Sequence, residues 1–189
     1  MNTSDNDFKD PNKLNDFIKL AFWLYLAYFT FCIVTKKLET INAFIHNIDL
    51  PIHEFGHVFF SFISFGNSTI MSAGGNLFQF IFPCILTGVF FFSTKDKDFF
   101  GGFVCLIWAG ETLVDASYYI SDATTRDLPL ITGDPDTHDW FNVLSQLNIL
   151  SWDTTIGKIV FTLGSLTMII GLIMSLYSLN KTAKFIEVK

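Results

Sequence analysis

His53-Glu54-Phe55-Gly56-His57 is the stretch of this sequence whose residue types and spacing could do chemistry. Two histidines four residues apart stand one above the other on a helix face, so both imidazoles can reach one metal ion. The glutamate between them projects to one side, where it can take a proton from a metal-activated water. Zinc is the ion that suits this pattern, with His53 and His57 as ligands and Glu54 as general base. The chain holds only four histidines and four glutamates in 189 residues, so composition alone does not produce the pattern. The plain alternative is a pair of structural histidines hydrogen-bonded inside a helix bundle.

A zinc site needs a third protein ligand and an open position for water. His138 and Asp139 qualify, in the run Gly-Asp-Pro-Asp-Thr-His-Asp-Trp, and so does Asp115 within an apolar segment. Glu111 and Asp115 are four apart and share a helix face. Acids at membrane depth are costly and face a partner, a metal or water. Asp115 is therefore a reserve ligand or, like Glu111, a carboxylate that orients a histidine. The other use for both acids is hydrogen bonding to Asn76 or Gln79. His46 stands alone near an interface, where a histidine is ordinarily just solvated. Asp134, Asp136 and Asp139 lack the glycine and the closing glutamate of a calcium loop. Cys32, Cys84 and Cys105 form no Cys-x-x-Cys pair and read as small apolar residues.

The elements that must hold these residues are membrane helices. Half the residues are hydrophobic, 23 of them Phe, and mean hydropathy is +0.42. Residues 1–13 read as a mobile polar tail, and 14–189 as one membrane domain. Spans are expected over 17–35, 76–93, 99–120 and 156–179. Residues 38–48 read as a short amphipathic segment at the interface. Asp49 and Pro51 then look like the start of the motif helix, which runs to about Phe65. That helix is short for a span, so the architecture is all-α with four to five membrane segments, the motif helix either crossing or re-entering. Residues 66–75 read as a loop, 94–98 as a charged turn, and 121–155 as a long polar loop. Within that loop a short helix is expected over 140–150, capped by Asp136 or Thr137. Gly157, Gly164 and Gly171 recur every seven residues, a stripe for close helix packing.

The first apolar run follows acidic residues and precedes no small-residue cleavage site, so it is expected to stay as a membrane helix. The net charge of −6, with no basic cluster, argues against nucleic acid as a partner and leaves membrane lipids. Four crossings put eight basic residues on the side of the termini and four opposite, which makes both termini cytoplasmic. The motif and the loop around His138 then share the other side. Five crossings would give seven and five.

The run His-Glu-Phe-Gly-His, then Phe65-Gly66, then Ala73-Gly74-Gly75-Asn76-Leu77 resembles the site-2 protease family of intramembrane zinc metalloproteases. The resemblance covers about residues 49–83. It implies a membrane zinc site whose third ligand is an aspartate in a Leu-Asp-Gly motif at the start of a later helix. This chain has no Leu-Asp-Gly. The nearest equivalents are Val114-Asp115-Ala116 and His138-Asp139-Trp140, and the second follows a proline-containing loop and opens a helix. The chain is also similar to a group of uncharacterised bacterial integral membrane proteins with the same His-Glu-x-Gly-His and His-Asp-Trp elements. That similarity implies the bacterial cytoplasmic membrane.

The expected function is zinc-dependent hydrolysis in a membrane, foremost of a membrane-embedded peptide segment. A lipid amide or ester is the alternative substrate. A non-catalytic metal-binding membrane protein is the alternative from another class.

Overall fold

The computed structural model describes residues 11–93, 95 and 97–187. Residues 1–10 of the expected tail, Thr94 and Asp96 of the charged turn, and Lys189 lie outside them. Helix is the only regular structure among the described residues, with no strand. In order come α1 (Pro11–Val34), α2 (His46–Ile63), α3 (Ser68–Gly88), α4 (Phe99–Ser121), α5 (Asp139–Gln146) and α6 (Asp153–Glu187). A π-helical turn over Val89–Ser93 extends α3. Short 3-10 turns stand at Thr40–Asn42, Pro135–Thr137 and Leu150–Trp152.

Among the described residues four segments are long and apolar enough to cross a membrane: Leu14–Val34, Ser68–Phe92, Phe99–Ser121 and Leu150–Leu179. Many of their large side chains, such as Phe17, Ile85, Phe92, Ile173 and Tyr177, are exposed. Such surface suits a hydrocarbon environment, as in an integral membrane protein. The motif helix α2 is not among the four, in keeping with the count of four crossings.

The most buried helix, α4, is the axis of the bundle. It packs closely on α6 through the expected glycine stripe. A Cβ on Gly164 would meet the Gly110 carbonyl oxygen at 2.6 Å, and one on Gly171 would meet the Ile107 nitrogen at 3.1 Å. Only glycine permits this backbone approach. Leu26, Ile33, Ile107, Val114 and Met168 fill the space between α1, α4 and α6. Trp23 ties α1 to α6 by donating Nε1–H to the Leu172 carbonyl at 3.0 Å.

Three boundaries differ from the sequence expectation, each for a physical reason. Helix α2 begins at His46 rather than near Asp49, so Pro51 lies inside it and the motif falls in later turns. Asp49 does not cap: its carboxylate accepts Nε1–H of Trp108 in α4 at 2.8 Å. Helix α3 begins at Ser68, capped by the Asn67 side chain on the Ile70 N–H at 3.2 Å. Gly74 and Gly75 are therefore helical, and Phe65 and Gly66, both at positive φ, make the turn alone. The glycines serve helix contact instead, since a Cβ on Gly56 of α2 would meet the Gly74 carbonyl oxygen at 2.5 Å. Helix α5 is capped by His138, not by Asp136 or Thr137.

Candidate metal centre

Helix α2 presents His53 and His57 toward the N-terminus of α5, and there Asp139 meets them. The Nε2 atoms of the two histidines are 3.0 Å apart. Asp139 Oδ2 lies 3.3 Å from His53 Nε2 and 3.2 Å from His57 Nε2. Among the described residues these three are the one group of His, Cys, Asp or Glu whose ligand atoms cluster closely enough to hold a metal ion. Tetrahedral bonds of about 2.05 Å would place ligand atoms about 3.3 Å apart, and the observed separations lie within about 0.3 Å of that.

Hydrogen bonds behind the histidines decide which nitrogens face the centre. His57 Nδ1 is 2.9 Å from the Met71 carbonyl oxygen, which only accepts, so Nδ1 carries the proton. His53 Nδ1 is 3.3 Å from Gln79 Oε1. The orientation of Gln79 is set in turn by Asp115, whose Oδ2 accepts the Gln79 Nε2–H at 3.1 Å. Asn76 Nδ2–H donates to Gln79 Oε1 at 3.0 Å, which leaves that oxygen purely an acceptor toward His53. In the neutral rings, two bare Nε2 lone pairs and a carboxylate oxygen therefore converge. Lone pairs at such distances repel unless a cation lies among them, so the donor set fits a metal ion. Gly75 makes the room: a Cβ there would collide with Nε2 of both histidines.

A proton can partly substitute for the metal. The hydrogen bond to Asp139 pushes the His57 pKa up to about 9, against the opposing effect of burial. Burial raises the Asp139 carboxyl, but its contacts with His53 and His57 outweigh that and hold it below the usual carboxylate range.

The His138-Asp139-Trp140 run divides its labour. Asp139 joins the histidines. His138 does not, because both its nitrogens are engaged elsewhere. Nδ1 accepts the Phe141 N–H at 3.2 Å as the cap of α5, and Nε2–H donates to Asp122 Oδ2 at 3.3 Å. The ring is wholly buried and packs on Tyr119 with centroids 4.2 Å apart. Burial lowers its pKa, which keeps it neutral, as the cap requires. Asp122 also accepts the Asp127 and Leu128 N–H groups, each at 3.0 Å, and fastens the start of the long loop. Trp140 donates Nε1–H to Asn76 Oδ1 at 2.8 Å, which links α5 to the amide network behind His53.

Glu54 is exposed and lines a cavity of about 360 Å³ together with His53, His57 and Asp139. It accepts no hydrogen bond from the described side chains. Asp115 stands behind Gln79 and pairs with His46 at 3.1 Å, which raises the His46 pKa. It supports the site and does not touch the three ligand atoms. Glu111 is not part of the cavity wall. Fully buried, it stands near the equally buried Asp49, and neither of its carboxyl oxygens has a hydrogen-bond partner. Gln79, Tyr119 and Gly75 were not singled out as site residues by sequence. A glutamine inside an apolar span was the one visible signal, since such a residue needs a partner.

The chain matches no protein-family model, no curated protein and no solved structure.

Proposed function

We propose that this chain is an integral-membrane zinc hydrolase, foremost a peptidase. The observation that carries the reading is the convergence of His53, His57 and Asp139 at tetrahedral spacing beside the free carboxylate of Glu54. Zinc held by His53, His57 and Asp139 would supply an activated water and polarise a carbonyl. Glu54 takes one proton from that water as its oxygen bonds to the carbonyl carbon and the π electrons move onto the carbonyl oxygen. The electrons return, the carbon–nitrogen bond breaks, and the amine leaves with the proton from Glu54. The products are a carboxylic acid and an amine.

A peptide bond inside a helix is shielded by its own turn, so a peptide substrate enters locally unwound. A lipid amide or ester is the second reading, favoured by the apolar wall of Leu50, Leu128, Leu130 and Ile131. We assign the protein to the bacterial cytoplasmic membrane on its motif resemblance.

The test is Glu54→Gln. Hydrolysis of membrane peptide or lipid substrates falls about 10²–10⁴-fold while bound zinc is retained. Unchanged hydrolysis, or loss of zinc with Glu54→Gln, contradicts the role of Glu54.

A further inference from the structure

Addition of water to a carbonyl leaves charge on the carbonyl oxygen, and an efficient site aims a hydrogen-bond donor at it. Most donors in the cavity wall are already committed. Asn76 Nδ2–H donates to Gln79, and Gln79 Nε2–H donates to Asp115. Thr132 and Thr137 bond to one another, and Thr137 donates to the Asp134 carbonyl at 2.7 Å. Tyr118 is the exception: its hydroxyl is buried without a partner, but its ring packs toward Phe161 of α6, with centroids 6.1 Å apart.

Tyr119, at the last turn of α4, differs from all of these. Its hydroxyl oxygen accepts the Asp139 N–H at 3.1 Å. Its own O–H faces Asp139 Oδ2 at 3.4 Å, the same oxygen that meets the two histidines. Ordinary O–H···O bonds span about 2.5–3.0 Å, so this proton is held loosely and can turn to a better acceptor. The ring cannot wander. It packs on the buried His138 with centroids 4.2 Å apart, and the His53 ring lies 6.3 Å away. The result is a fixed phenol beside the ligand atoms, facing the cavity, with a proton to offer.

We propose that Tyr119 is a catalytic residue that donates a hydrogen bond to the carbonyl oxygen of the substrate. It keeps its proton throughout, while Glu54 carries the proton that moves. This assignment rests on the hydrolase reading.

The experiment uses full-length, detergent-purified, zinc-loaded protein and acetohydroxamate, whose carbonyl oxygen stands in for that of a substrate. Zinc content, zinc affinity and acetohydroxamate affinity are measured for wild type, Tyr119→Phe and Tyr118→Phe. Tyr119→Phe is expected to keep zinc affinity within about twofold and to weaken acetohydroxamate about tenfold or more, while Tyr118→Phe changes neither. Unchanged acetohydroxamate affinity in Tyr119→Phe overturns the assignment. Parallel loss of zinc overturns it too, by making Tyr119 a positioning residue for Asp139. Equal weakening in Tyr118→Phe does the same. Should Tyr119→Phe not fold, 3-fluorotyrosine at position 119 reads the same contact as a stronger donor: tighter binding supports the role and unchanged binding refutes it. Wild type that binds no zinc refutes the hydrolase reading itself, a result separable from all the others.

Discussion

Zinc affinity should depend on pH in a way that His57 dictates. Without metal, the hydrogen bond to Asp139 holds a proton on His57 up to about pH 9. Zinc must displace that proton, because the same Nε2 faces Asp139 and the metal position. With one competing proton of pKa about 9, apparent affinity rises about ninefold from pH 7 to 8 and about fivefold from 8 to 9. Above pH 9 at most about a further twofold remains. Asp139 adds nothing to this interval, since it is ionised throughout. Stability of the metal-free protein should move the opposite way. A histidine whose folded pKa is raised contributes stability that is complete below its unfolded value of about 6.5 and is lost as pH rises through about 9. The assay is chelator competition in buffered zinc from pH 6.5 to 9, beside thermal unfolding of metal-free protein. Affinity that is flat or falling between pH 7 and 8 refutes the coupling of His57 to the metal position.

Three further outcomes follow from the same geometry. Gly75→Ala places a methyl group against Nε2 of both histidines and should abolish zinc binding while the helices remain, as seen by metal analysis with circular dichroism. Gln79→Leu removes the acceptor that fixes the His53 tautomer, and zinc affinity should fall about 10–100-fold by chelator competition. Glu111→Met replaces a buried carboxyl that has no hydrogen-bond partner, and removes its charge repulsion with the buried Asp49. A gain of about 1 kcal/mol would raise the melting temperature by about 2–4 °C in detergent; a fall would show that the Asp49–Glu111 pair is a stabilising contact.

Helix number and the histidine pair were legible in the sequence because both are local. Apolar length marks a span, and the spacing of His53 and His57 marks one helix face. The glycine stripe at 157, 164 and 171 was legible for the same reason, a fixed repeat along one helix. Which of Asp115, His138 and Asp139 joins the two histidines was not, since residues 121–155 fold back over α2 through bonds that periodicity does not register. His138 and Asp139 are adjacent, yet one caps α5 and the other reaches the histidines. The choice depends on Asp122 and the Phe141 N–H engaging both nitrogens of His138. The glycines at 74 and 75 misled for a related reason. Composition suggests a loop there, but their small size serves the contact of α3 with α2 and with the imidazoles. The role of Gln79 depends on four helices meeting, which no single stretch of sequence reveals.

The most direct test of the central claim is the metal content of purified wild type beside His57→Ala, Asp139→Asn and His138→Asn. The account predicts about one zinc per chain in wild type, lost in His57→Ala and Asp139→Asn. His138→Asn should still load one zinc when the metal is in excess, because His138 caps α5 and binds no metal. Wild type without zinc after purification free of chelators, or zinc retained by His57→Ala, would contradict the account.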